Sequence, residues 1–102
     1  MNHIQKSSLI QTNAEDASLT IAAPGQGKYN CLTQVTVESS AAGDFTITSG
    51  SKTQKSAIGA GGGLVLDFPE PNPWVGAENT SVVLAMGGGG TYTINVRGFV
   101  HP

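Results

Sequence analysis

Apolar and polar residues alternate along most of this chain, with the two-residue period of a half-buried strand rather than the 3.6-residue period of a helix. The clearest instance is Thr91-Tyr92-Thr93-Ile94-Asn95-Val96-Arg97, where Tyr92, Ile94 and Val96 take one face and the polar residues the other. Just before it, Ser81-Val82-Val83-Leu84-Ala85-Met86 is apolar on both faces, which places it inside a sheet or at an interface. Gly87-Gly88-Gly89-Gly90 separates the two runs, and together they predict one antiparallel hairpin closed by a glycine turn.

Upstream the same period recurs in short runs. Leu19 and Ile21 alternate with Ser18 and Thr20, and Pro24-Gly25-Gln26-Gly27 then supplies turn chemistry. Residues 28–38 read as the longest strand, with Tyr29, Cys31, Thr33, Val35 and Val37 on one face and Leu32, Gln34, Thr36 and Glu38 on the other. Phe45 and Ile47 alternate with Thr46 and Thr48, so residues 28–48 predict a second hairpin. Residues 52–58 are polar and carry Lys52 and Lys55, which suits an edge strand. After the glycines of residues 59–63, Leu64, Leu66 and Phe68 alternate with Val65 and Asp67. Three prolines in Phe68-Pro69-Glu70-Pro71-Asn72-Pro73-Trp74 exclude regular structure there, and Trp74 and Val75 are expected to drop back onto the core.

The sum is about eight short antiparallel strands with a turn every 8 to 12 residues, the signature of an all-β sandwich or barrel. Strands of mixed length and a long proline-rich crossover favour a jelly-roll-like sandwich, and no Cys–Trp–Cys spacing supports an immunoglobulin-like one. Residues 1–16 show no clear period and are expected to be an extended N-terminal arm, leaving residues 17–102 as a single β-sandwich domain. With 102 residues there is no room for a second core.

Composition narrows the function classes. Fourteen glycines and many Thr, Ser and Val residues disfavour helix. A net charge of −2 with 12% charged residues offers no basic field, so nucleic acid is not an expected partner. No apolar run approaches the ~20 residues of a membrane helix, and residues 1–6 lack the apolar core of a signal peptide, so no membrane is expected and synthesis in a cytosol is. Cys31 has no second cysteine to pair with and reads as a small buried hydrophobe.

Candidate chemistry is sparse. The clusters at Gly25–Lys28 and 59–63 precede strand-like residues, whereas phosphate loops need a helix N-terminus. The two histidines, His3 and His101, have no carboxylate or cysteine at triad or ligand spacing, so neither catalysis nor metal is assigned. Asn79-Thr80-Ser81 fits the glycosylation pattern and reads as a turn before a strand. The loop over residues 70–79 has the one sugar-binding flavour in the chain, an aromatic plane beside carboxylates and an amide, although Trp74 also suits a core or interface plug. Ile4, Leu9 and Ile10 are apolar in a polar arm and are the expected partner contacts, with Trp74 a weaker fourth.

Taken in order, Leu19-Thr20-Ile21-Ala22-Ala23-Pro24-Gly25-Gln26-Gly27-Lys28, the segment 35–48, Gly62-Gly63-Leu64-Val65-Leu66-Asp67-Phe68, Trp74 ahead of Ala77-Glu78-Asn79, and Tyr92-Thr93-Ile94-Asn95-Val96-Arg97-Gly98 resemble the small β-sandwich virion proteins of tailed bacteriophages. The resemblance spans residues 19–98 and departs at the polar arm. It implies a non-catalytic capsid decoration or cement protein, commonly a homotrimer on the head surface, with the major capsid protein or other virion proteins as partners. It implies no cofactor, and a location in the virion after synthesis in the host cytoplasm. Because some tail and fibre components share this sandwich, a receptor- or carbohydrate-binding module at residues 70–79 is the alternative.

Overall fold

A computed structural model of the protein describes residues 8–69 and 71–102. The chain is all-β, with nine strands and no helix among the described residues: β1 (Ser8–Glu15), β2 (Leu19–Ile21), β3 (Tyr29–Ser39), β4 (Gly43–Ser49), β5 (Lys52–Ile58), β6 (Gly62–Asp67), β7 (Trp74–Val75), β8 (Val82–Met86) and β9 (Tyr92–His101). They form two antiparallel sheets, one in the order β1-β9-β3-β6 with the short β7 also beside β3, the other in the order β2-β8-β4-β5. The pairs β1/β9, β2/β8, β3/β6 and β4/β5 are nested around the two-residue turn at Gly50 and Ser51, where Gly50 takes φ 61°. The chain is therefore one long ribbon of paired strands, rolled until β9 meets β3 and β8 meets β4. That is a jelly-roll arrangement, the class of sandwich expected from the sequence.

Both apolar faces turn inward. Leu32, Val35, Val37, Ile94 and Val96 from the first sheet meet Leu19, Phe45, Ile47, Val82 and Leu84 from the second, all buried. Polar β5 lies at one end of the second sheet, the edge position its lysines imply. Leu64, Leu66 and Phe68 line the inner side of β6 and pack on the core, while Val65 points away from it, 61% exposed.

Two expected hairpins are not formed. The runs Val82–Met86 and Tyr92–His101 lie in opposite sheets, and so do β3 and β4. Alternation shows that a segment is a strand but not which strand it pairs with, and in a rolled ribbon neighbours in sequence commonly cross between sheets. Within residues 87–90, Gly88 and Gly90 serve close approach rather than a hairpin turn. A Cβ on Gly88 would overlap the carbonyl oxygen of Ala42, and one on Gly90 would sit 2.8 Å from the Ala41 backbone nitrogen. The two crossing segments thus run backbone against backbone, joined by hydrogen bonds from Gly87 N–H to Asp44 O (3.0 Å) and Ser40 N–H to Thr91 O (2.8 Å).

The face assignment along the longest strand also changes midway. Leu32 pairs with Gly98 and Gln34 with Arg97, so Thr33 is an extra residue, a bulge in β3. Below the bulge Leu32 faces the core and Cys31 does not; above it Val35 and Val37 face the core. The single face proposed for Tyr29, Cys31, Thr33, Val35 and Val37 is therefore two faces. Thr33 is held by its own Oγ1, which donates to Arg97 O (3.2 Å), and by its carbonyl, which accepts from Phe68 N–H (2.8 Å).

The second half of the expected arm, residues 8–15, is strand β1, paired in unbroken register with β9 from Ser8↔Val100 to Glu15↔Thr93. Ile10 and Ala14 lie over the core. Residues 1–7 lie outside the described residues.

Candidate functional site

The outer face of the first sheet is built by strand parity. Regular pairing brings four rows of side chains into line: Glu15, Thr93 and Glu38; Asn13, Asn95, Thr36 and Val65; Gln11, Arg97, Gln34 and Asp67; and Leu9, Phe99, Cys31 and Val75. Three rows are largely polar, two of them with two amides each, and the fourth is apolar. Gln34 donates from Nε2 to Asp67 Oδ1 (3.1 Å). A shallow concavity of about 520 Å³ runs over the middle rows, lined by Gln11, Asn13, Gln34, Thr36, Asn95 and Arg97. In the fourth row Phe99 and Cys31 are buried, Val75 is half-exposed, and Leu9 stands at the strand edge, 79% exposed. Burial pushes the Cys31 thiol above the ordinary thiol range, with the charge of Lys52 pulling the other way. This thiol is a weak nucleophile in the folded chain.

The same sheet ends at β1, whose second side pairs with no described strand. Asp16 N–H donates to Tyr92 O (2.8 Å), which sets the parity of the ladder. Even-numbered residues of β1 direct their backbone groups to β9, so Leu9, Gln11, Asn13 and Glu15 direct theirs to the open edge. Asp16 closes the strand at φ 55°, its Oδ1 accepting from Tyr92 N–H (2.7 Å).

The expected contact residues separate. Leu9 is at the surface, Ile10 is half-buried against the core, and Ile4 lies outside the described residues. Trp74 is in the core at 6% exposure, capped by Lys52, whose Nζ lies 4.4 Å from the ring centroid and donates to Val75 O (2.7 Å). Trp74, expected as a weaker contact residue, is a core plug within the chain: its buried ring anchors one end of the proline-rich loop, as Phe68 does the other.

Two polar side chains of the 70–79 loop, Glu78 and Asn79, are engaged within the chain. Glu78 Oε2 accepts from Gly27 N–H (2.6 Å), and Asn79 Oδ1 accepts from Gly25 N–H (3.0 Å). Together they strap the Pro24–Lys28 turn, itself closed by Lys28 N–H on Gly25 O (3.0 Å). Asn79 sits at φ 46°, a conformation asparagine tolerates better than most residues. Glu70 lies outside the described residues. The glycines of residues 59–63 form a turn in the same way, with Gly62 N–H on Gly59 O (3.0 Å). No group of three metal-ligating side chains converges among the described residues. Sequence reasoning missed the Gln11, Gln34 and Arg97 row, because residues 8–15 read as arm and the pairing of β9 with β1 and β3 is not visible in the alternation.

No protein-family model matches the chain, and no curated protein is significantly similar to it in sequence.

Proposed function

We propose that the protein is a non-catalytic structural component of a phage virion that decorates or cements the capsid surface, as the resemblance of residues 19–98 implies. The observation that carries this reading is the jelly-roll sandwich joined to an open β1 edge with exposed Leu9 at its end. Jelly rolls recur in viral shells as well as in lectins, so the fold is compatible with this reading and the site must argue for it. An edge strand offers backbone pairing and an exposed leucine offers apolar area, and added interface at lattice junctions stabilises a shell by mass action. The major capsid protein is the proposed partner, and three copies per unit is the proposed assembly.

The lectin-like alternative placed its sugar platform at Trp74, and the buried ring does not favour it. The test is co-sedimentation of the purified protein with heads of the phage that encodes it, after the resident copies are stripped. Saturable binding that is weakened by Leu9→Asp supports the reading. Absence of binding to intact heads refutes it.

A further inference from the structure

We infer that the open edge of β1 is a self-association site, at which β1 of one copy pairs antiparallel with β1 of a second about a two-fold axis through Thr12. The four sheet edges differ in how they are guarded. β5 carries Lys52 and Lys55, β2 has three residues and is followed by Pro24, and β6 is bounded by the glycine turn at 59–62 and by Pro69. Lysines, prolines and shortness are the usual means of blocking edge pairing. β1 is eight residues long, unbulged against β9, and contains no proline or lysine.

A second copy is the occupant that fits, because the strand is complementary to itself in one register. A two-fold perpendicular to the sheet keeps outer face beside outer face only if the paired residue numbers have an even sum. Placing it at Thr12 sets Leu9 opposite Glu15 and Gln11 opposite Asn13, and these are the residues whose backbone groups point to the open edge. Each such pair exchanges two hydrogen bonds, so every open donor and acceptor from Leu9 to Glu15 is satisfied. On the outer face the Gln11 and Asn13 amides meet across the junction. On the inner face half-buried Ile10 meets Ala14, which joins the two cores. Charge also permits it: Glu15, the charged residue of β1, faces Leu9 rather than its own copy, with the two Glu15 residues about 20 Å apart at ~3.3 Å per residue.

The inference does not rest on the virion reading: a second copy fills the β1 edge in free solution, and the shell partner and three-copy unit of that reading would have to displace it. The test uses the full chain. Thr12 would face its own copy in a non-hydrogen-bonded pair, where Cα atoms approach to about 4.5 Å, within disulfide range. Thr12→Cys should therefore cross-link to a dimer under mild oxidation far faster than Thr53→Cys on the β5 edge, with buried Cys31 taking no part. Asn13→Pro removes an outward donor and no bond to β9, so the mass by light scattering should fall by half with the circular dichroism unchanged. A full chain that stays monomeric at high concentration overturns the inference. So does cross-linking of Thr12→Cys no faster than Thr53→Cys, and so does a trimer that Asn13→Pro leaves intact. Should Asn13→Pro unfold, the Thr12→Cys result decides. A two-fold dimer absent from virions would sink the functional reading and leave this contact standing.

Discussion

Substituting Gly98 by alanine tests the junction on which the first sheet depends. Gly98 faces Leu32 across the ladder immediately beside the Thr33 bulge. A Cβ there would overlap the Cys31 carbonyl oxygen and lie 3.0 Å from the Cys31 carbonyl carbon and 3.1 Å from Leu32 Cα. All three atoms are backbone, and β3 is held between β9 and β7 at this level, so no side chain can swing aside. Overpacking alone costs about 1–3 kcal/mol. Losing one ladder bond adds about 0.5–1.5 kcal/mol. We therefore expect Gly98→Ala to destabilise by about 3 kcal/mol, a large part of the roughly 5–15 kcal/mol that holds a domain folded. The melting temperature should fall by about 12–24 °C. Gly59→Ala is the matched control, because its added Cβ meets nothing within 4 Å and its φ is not positive. It should be neutral or stabilise by up to about 1 kcal/mol. Urea unfolding of the three proteins, with the slopes compared, provides the assay. A Gly98→Ala midpoint within error of the wild type would refute the close approach at the bulge, and an equal loss for Gly59→Ala would show that glycine replacement is costly here regardless of contacts.

Other consequences follow from the same structure. Trp74→Ala should cost about 3–5 kcal/mol, as for other large aromatic truncations in a core, and the native tryptophan emission should be blue-shifted and insensitive to added glycans. Removing residues 1–16 should lower the urea midpoint rather than leave the sandwich untouched, because β1 covers one side of β9 and brings Ile10 and Ala14 onto the core. Cys31 should react with a thiol reagent only as fast as the chain opens. Its raised native pKa means the folded chain retains a proton that the unfolded chain loses. That contribution to stability is whole below the ordinary thiol pKa of about 8.5 and is lost as pH rises through the native value, so Cys31→Ser should flatten the alkaline limb of a stability–pH curve.

Individual strands were legible in the sequence wherever one face is buried and the other is not. Phe45 and Ile47, Leu64 and Leu66, and Ile94 and Val96 all face inward as their alternation implies. Pairing was not legible, since nested partners such as Leu19 and Leu84 are far apart in sequence and no local turn joins them. The bulge at Thr33 escaped because an extra residue merely reverses the phase of an otherwise good pattern. β1 escaped because an edge strand covers the core with little more than Ile10 and Ala14, leaving Leu9, Gln11, Thr12 and Asn13 exposed and the period too faint to read. Trp74 was open for a chemical reason: a ring beside polar residues can be a core or interface plug, the favoured reading, or a sugar platform, and the structure buries it beneath Lys52.

If the functional proposal holds, this chain is a component of phage virions, and its copy number in purified particles, measured by quantitative mass spectrometry against the major capsid protein, tests that proposal most directly. Decoration or cementing predicts an abundance comparable with that of the shell protein, spread over the head surface. A few copies at the tail, or none in the particle, would contradict it.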